Sequence, residues 1–158
     1  MQNRVKICFV CHGNICRSTM AEFVMKNLVR NANLISHFDI FSRATSREEI
    51  GNDTHYKTKE ILRKYNIPFA ARAAKQITKD EFNTSDFIIC MDRLNLRNLN
   101  SMFGKSDKIY FMMDFVDLKN RYKIEIDDPY YTGDFETTYA QINLACNRLF
   151  EHIKNHLL

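Results

Sequence analysis

One short stretch concentrates the residues able to do chemistry: Cys11-His12-Gly13-Asn14-Ile15-Cys16-Arg17-Ser18. A thiol is followed, in a Cys-x5-Arg spacing, by a guanidinium. A loop of that length can curl so that successive backbone N–H groups point inward and form an anion-binding nest. Arg17 adds a planar fork matched to two oxygens of a phosphate. Gly13 is expected to supply a backbone angle that a Cβ would resist. Asn14 is expected to take a left-handed conformation and to hydrogen-bond locally. A thiol on the floor of this cradle sits in a positive field, which favours the thiolate, and Ser18 can give its hydroxyl proton to the sulfur. A thiolate beneath a bound phosphoryl group is an in-line nucleophile whose product is a phosphocysteine. The competing reading is a pair of buried core thiols, the usual fate of free cysteine. Gly13, Asn14 and a serine directly after the arginine weigh for the chemistry. No Gly-Lys-Ser/Thr follows, which excludes a nucleotide-binding P-loop. Cys8, Cys11 and Cys16 have a zinc-like spacing, but Cys8 lies mid-strand and faces away from Ile7 and Phe9. It belongs to the core, and no metal is expected.

Breaking a phosphate ester also requires a proton for the leaving oxygen. The segment Asp127-Asp128-Pro129-Tyr130-Tyr131 offers one. Pro129 fixes its own φ and biases Asp128 toward an extended conformation, so the carboxyl can be aimed. Tyr130 and Tyr131 can wall a slot for an aromatic ring. The same carboxylate can then take a proton from the water that cleaves the phosphocysteine. Taken alone an Asp-Pro pair is usually just a turn; its weight comes from the cysteine loop.

These groups need elements to hold them. Val5 to Val10, Phe38 to Phe41, Phe87 to Cys90 and Ile109 to Met112 read as short buried strands. Helices are expected between them. One runs from about Thr19 to Arg30, with Thr19 and Glu22 spaced as a capping box. A second runs to about Tyr65 from a cap at Asp53 or Thr54. A third opens at a capping box of Thr78 and Glu81, and a fourth covers Asp92 to Phe103 and stops at Gly104. The last is capped by Asp134 and carries Phe135, Tyr139, Ile142, Cys146, Leu149, Phe150, Ile153 and Leu157 on one face. Strands alternating with helices imply an α/β fold with a four-stranded parallel sheet between helical layers. In such sheets sites form beyond the carboxyl ends of the strands, and Cys11 stands at the end of the first.

Composition bounds the rest. The chain has 158 residues, 45% hydrophobic and 27% charged, which suits one domain spanning 1–158. Four glycines and two prolines are few for this length and exclude collagen-like or Gly/Pro-rich disordered sequence. No apolar run exceeds five residues, so no transmembrane helix is expected. Arg4 and Lys6 are not followed by an apolar signal region, and five cysteines do not form a secreted disulfide framework. A reducing, cytoplasmic setting is expected. The net charge of +4 suits an anionic substrate but, without a basic run interleaved with aromatics, points to no nucleic acid.

The segments Val10 to Glu22 (VCHGNICRSTMAE) and Asp128 to Tyr131 (DPYY) resemble the low-molecular-weight protein tyrosine phosphatase family. The likeness extends from about Arg4 to Ile153. It includes Ser42 to Gly51, Lys75 to Phe82, and Met91-Asp92 ahead of a helix containing Asn95. The resemblance implies hydrolysis of phosphotyrosine without a cofactor, by a monomer or weak dimer. It implies Cys11 as nucleophile, Arg17 as phosphate clamp, Asn14 and Ser18 as supports, and Asp128 as general acid. Cys16 resembles the family's second loop cysteine, which forms a reversible disulfide with the nucleophile; it also walls the pocket. Asp92 reads as structural, near the site. His12 at the mouth, and Glu48 and Glu49 where many members carry an aromatic residue, depart from the pattern. Arg72 stands where the family often has a histidine supporting the loop, and it is given no role. Three alternatives stay open. An arginine phosphatase resembles this loop with Thr where Ile15 stands, whereas Ile15 narrows the pocket toward a flat aromatic group. An arsenate reductase needs two further relay cysteines, and a phosphotyrosine-binding module needs no turnover at all.

Overall fold

Strand β1 (Val5–Cys11) is buried on both faces, as its unbroken apolar run requires. In this computed structural model, which describes residues 3–120 and 123–158, it lies at the centre of a four-stranded parallel sheet. Strands β2 (Phe38–Ala44) and β3 (Phe87–Cys90) flank it, and β4 (Ile109–Phe111) lies outside β3, giving the order β2-β1-β3-β4. The next two strands along the chain, β2 and β3, lie on opposite sides of β1, so a crevice opens at the carboxyl end of β1. There Cys11 pairs with Ala44, and Val10 with Arg43 and Cys90.

Alternation along β1 divides the core in two. Ile7, Phe9 and Cys11 face helices α1 (Arg17–Asn31), α2 (Tyr56–Lys64) and α6 (Phe135–Leu157). Cys8 and Val10 face α3 (Lys79–Thr84) and α4 (Arg93–Phe103), with Phe82, Ile88, Cys90 and Leu99. Cys8 is therefore core, on the opposite side from Cys11 and Cys16, and the zinc-like spacing does not converge. Helix α6 buries Ile142, Cys146, Leu149 and Ile153 completely, but the predicted face ends there: Leu157, in the last turn beyond the core, is 54% exposed. Burying a residue such as Leu149 fully stabilises the fold by about 1.5–3 kcal/mol.

Several boundaries differ from expectation. Helix α1 starts two residues early, at Arg17. Thr19 does not cap it; its hydroxyl donates to the carbonyls of Ile15 and Cys16, and Glu22 is engaged elsewhere. Helix α2 is capped by His55 rather than Asp53 or Thr54: His55 Nδ1 accepts from Lys57 N at 3.2 Å. Asp53 instead accepts from Lys59 Nζ and from the backbone of Thr54 and Arg72. Strand β2 continues to Ala44, and β4 ends at Phe111 because Met112 enters a 3-10 turn. The capping box of Thr78 and Glu81 forms as read, and Asp92 with Asn95 makes another at α4.

The His55 cap needs an unprotonated Nδ1. Burial and the nearby Lys57 charge lower the His55 pKa from 6.5, so folding favours the neutral ring. That stability is present above the unfolded pKa of about 6.5 and is lost as pH falls below it and through the lower folded pKa. In the His55→Asn variant, whose acceptor does not titrate, the drop in Tm between neutral and acid pH should be smaller than in the parent chain. An equal drop would remove the cap from the account.

Candidate active site

The strand-to-helix loop closes around Cys11. Cys11 is 4% exposed, and its sulfur lies 3.0 Å from Ser18 Oγ and 3.3 Å from the backbone nitrogen of Asn14, which donates to it. Asn14 has φ +60°, the left-handed conformation expected of it. Gly13 does not share that feature. Its glycine is explained by close approach instead: a Cβ there would meet Glu49 Cγ at 3.2 Å. Helix α1 begins on this loop with no side-chain cap at Cys16. Its positive end is thus left open toward the site, as suits an anion.

Arg17 is buried, and its Nη1 donates to Asp92 Oδ2 at 2.8 Å and to the Ile126 carbonyl at 3.1 Å. Its Nη2 reaches Asp128 Oδ2 at 3.3 Å. Burial alone would lower the Arg17 pKa, but the charges of Cys11, Asp128 and Asp92 outweigh it, raise the pKa above the ordinary arginine value and hold the guanidinium charged. Asp92 was read as structural; it both caps α4 and orients Arg17. Asp128 lies not in a bare turn but at the N-cap of a short helix, α5 (Pro129–Thr132), where its Oδ1 accepts from Tyr130 N at 3.1 Å. One oxygen fixes the helix and the other faces the cradle.

These parts line one cavity of about 180 Å³. Cys11, Cys16, Arg17, Gly13 and Ile15 form its depth; Asp128, Tyr130 and Tyr131 stand on one side, His12, Glu48 and Glu49 on the other. Every pocket residue expected from the sequence is there except Asn14 and Ser18, which sit fully buried behind it. Tyr130 and Tyr131 are 64% and 82% exposed, with rings edge to face at 5.3 Å, so the slot has an aromatic rim. His12 Nε2 lies 2.9 Å from Glu48 Oε2, tying the cysteine loop to the segment that carries Glu48 and Glu49 on the same side of the cavity. Burial, then the charges of Cys11 and Asp128, push Cys16 up to about 12, so it remains a thiol at neutral pH.

Behind the cradle lies a network that the motifs did not reveal. Asn14 Nδ2 donates to Ser18 Oγ at 2.8 Å and to Ser42 Oγ at 2.9 Å. Ser42 donates to Glu22 Oε1 at 2.5 Å, and Lys26 donates to Glu22 Oε2 at 2.6 Å. Arg72 Nη2 and the backbone nitrogen of Lys75 both donate to Asn14 Oδ1. Burial lowers the Arg72 pKa, against the charges of Glu22, Asp53 and Cys11; a guanidinium stays charged even so.

Residues 6–157 match the family model described as low molecular weight phosphotyrosine protein phosphatase. The chain belongs to that family. A human low molecular weight phosphotyrosine protein phosphatase is 40% identical over 151 residues, covering 92% of this chain and 93% of its own. The crystal structure of YfkJ from Bacillus subtilis superposes with a TM-score of 0.94 at 34% identity, covering 99% of this chain and 98% of that one. A low molecular weight protein tyrosine phosphatase from Streptococcus pyogenes gives a TM-score of 0.80 at 39% identity, over 100% and 95%. Within the family frame the order of the sheet, the cysteine loop after β1 and the late Asp-Pro segment form one constellation. No described helix is long and apolar enough to cross a membrane.

Proposed function

We propose that this member of the family hydrolyses phosphotyrosine in proteins and peptides, and small aryl phosphates, through a phosphocysteine. The observation that carries the reading is the convergence of Cys11, Arg17 and Asp128 on one cavity, with Arg17 and Asp128 meeting across 111 residues of sequence. In the first step the Cys11 sulfur attacks phosphorus, the bond to the aryl oxygen breaks, and Asp128 delivers a proton to that oxygen. Arg17 and the loop N–H groups hold the equatorial oxygens as charge redistributes. In the second step water attacks the phosphocysteine, Asp128 takes its proton, the S–P bond breaks, and inorganic phosphate leaves.

Ile15 and the two tyrosines support an aromatic ester over a guanidino phosphate. The presence of both nucleophile and acid supports turnover over a binding role. For arsenate reduction the further cysteines are badly placed: Cys90 and Cys146 are buried in separate cores. Five free thiols support a reducing, cytoplasmic setting, and the lining of one cavity by both Cys11 and Cys16 supports Cys16 as the thiol that would capture an oxidised Cys11. A monomer or weak dimer, with no cofactor, suffices for this chemistry.

Phosphate release from matched phosphotyrosine, phosphoarginine and phosphoserine peptides tests the reading. The phosphotyrosine peptide should turn over best, by at least about tenfold, since a misfit in the pocket costs on that order. Faster release from phosphoarginine would move the chain to the arginine-phosphatase branch, and arsenate reduction with thioredoxin would move it to the reductases.

A further inference from the structure

We infer that Gln141 is a positioning residue for the general acid: from helix α6 it grips Asp127 and, together with Thr138, fixes the backbone that aims the Asp128 carboxyl into the cavity. The inference rests on the reading of Asp128 as the acid and adds the groups that hold it in place.

Residues 126–128 have no regular structure of their own, so contacts must set the direction of the acid. A peptide unit is planar, and holding the units on either side of a residue sets its two soft angles. Both units flanking Asp127 are held. In the unit before it, the Ile126 carbonyl accepts from Arg17 Nη1 at 3.1 Å, and the Asp127 N–H donates to Gln141 Oε1 at 2.9 Å. In the unit after it, the Asp127 carbonyl accepts from Thr138 Oγ1 at 2.9 Å. The side chain is held as well: Gln141 Nε2 donates to Asp127 Oδ2 at 3.1 Å, and Lys123 pairs with the other oxygen. Asp128 itself is extended, with φ −85° and ψ 108°. Neighbouring side chains on extended backbone leave on opposite sides, so drawing Asp127 toward α6 turns Asp128 toward the cavity.

The Gln141 amide has one orientation open to it. The Asp127 N–H only donates and the Asp127 carboxylate only accepts, so Oε1 faces the first and Nε2 the second. Gln141 and Thr138 lie three residues apart on one face of α6, and Thr138 is fully buried. Helix α6 is also anchored to the rest of the site. Cys146 Sγ lies 3.7 Å from the Ala21 carbonyl of α1, and α1 carries Arg17. The acid and the phosphate clamp are thus referenced to one pair of packed helices, which hold geometry more closely than loops do. Ile126 needs no help from Gln141: it is 2% exposed, and its N–H donates to the Met91 carbonyl at 2.8 Å. Loss of the Gln141 bonds therefore loosens the acid and leaves the anion cradle in place.

The test is the single-turnover rate of phosphocysteine formation from phosphotyrosine and from an aryl phosphate whose phenol ionises near neutrality. Gln141→Met keeps an unbranched side chain of similar length and makes neither bond. It should slow the phosphotyrosine reaction about tenfold, part of the roughly 10²–10⁴-fold an acid contributes, and the aryl phosphate reaction less than about twofold. In an Asp128→Asn background the same change should add less than about twofold for phosphotyrosine, because an absent acid cannot be misaimed. Exchanging the partners supplies the rescue. Gln141→Glu alone sets two carboxylates against each other and should slow phosphotyrosine about tenfold. Adding Asp127→Asn reverses the bond, amide to carboxylate, and should bring the rate back to within about threefold of the parent. Equal slowing of both substrates by Gln141→Met, an unchanged phosphotyrosine rate, or a full further loss in the Asp128→Asn background would overturn the inference and leave Gln141 a tie between α6 and a loop. If Gln141→Met does not fold, the exchange decides: a parental rate in Gln141→Glu, or no recovery on adding Asp127→Asn, overturns the assignment. Failure of the parent reading looks different, as equal slowing of both substrates by Asp128→Asn itself.

Discussion

Cys11→Ser should abolish phosphate release while leaving the fold and the anion cradle intact. Serine is smaller than cysteine but keeps the branching and the hydrogen-bonding atom, and Cys11 is a single buried residue at a strand end, so the fold should survive with only a modest fall in Tm. The nucleophile, however, is changed in kind. A serine hydroxyl is hardly ionised near neutrality, and no general base stands behind it: its hydrogen-bond partners are the Ser18 hydroxyl and the Asn14 backbone N–H, neither of which is basic enough to take its proton. The loss in kcat should be about 10⁴-fold or more, as for other enzymes stripped of their nucleophile. The binding of inorganic phosphate gives the internal control. Arg17, the open end of α1 and the loop N–H groups all remain. Phosphate should therefore bind the variant at least as tightly as the parent, by calorimetry. Loss of both turnover and binding would mean a collapsed loop; retained turnover would remove Cys11 from the mechanism.

The cysteine loop and the Asp-Pro segment were legible because each is local. Cys11, Arg17 and Ser18 share one strand-loop-helix unit, and Asp128 owes its aim to the proline beside it. The network around Asn14 was not legible, because its members come from four parts of the chain and none has a diagnostic neighbour. Glu22 shows the difficulty. Its spacing from Thr19 matches a capping box, yet its carboxylate is taken by Ser42 and Lys26, and the helix begins earlier. Residue types that cap helices also satisfy buried hydroxyls, and only tertiary placement decides between the two. Gly13 was legible as necessary, but for the wrong reason: the constraint is the side chain of Glu49 arriving from another loop. The sheet was the most legible part, since a strand buried on both faces leaves little freedom in what surrounds it. The His55 cap was missed because histidine is a rare helix cap, and its role depends on a neutral ring that burial secures.

Asp128→Asn should separate the two duties of the acid. In the resting site Asp128 Oδ1 caps α5 while Oδ2 faces Arg17. Asparagine has one oxygen. If it caps α5, its amide nitrogen faces the guanidinium, donor against donor; if it faces Arg17, the cap is lost. Either way the carboxyl proton is gone. For phosphotyrosine the leaving oxygen has a pKa of about 10, and general acid catalysis of such a step contributes about 10²–10⁴-fold, or about 3–5 kcal/mol of barrier. For an aryl phosphate whose phenol ionises near neutrality, the leaving group departs as an anion without help. The loss in the phosphocysteine-forming step should then be at least about tenfold smaller than for phosphotyrosine. The ratio matters more than either loss, because disturbed Arg17 geometry would slow both substrates equally. Single-turnover measurements on the two substrates read this step directly. Equal losses would assign Asp128 to orienting Arg17 and would place the proton source elsewhere. Unequal losses, greater for phosphotyrosine, would show that the carboxyl held on α5 reaches across the cavity to the departing oxygen once phosphate has engaged Arg17.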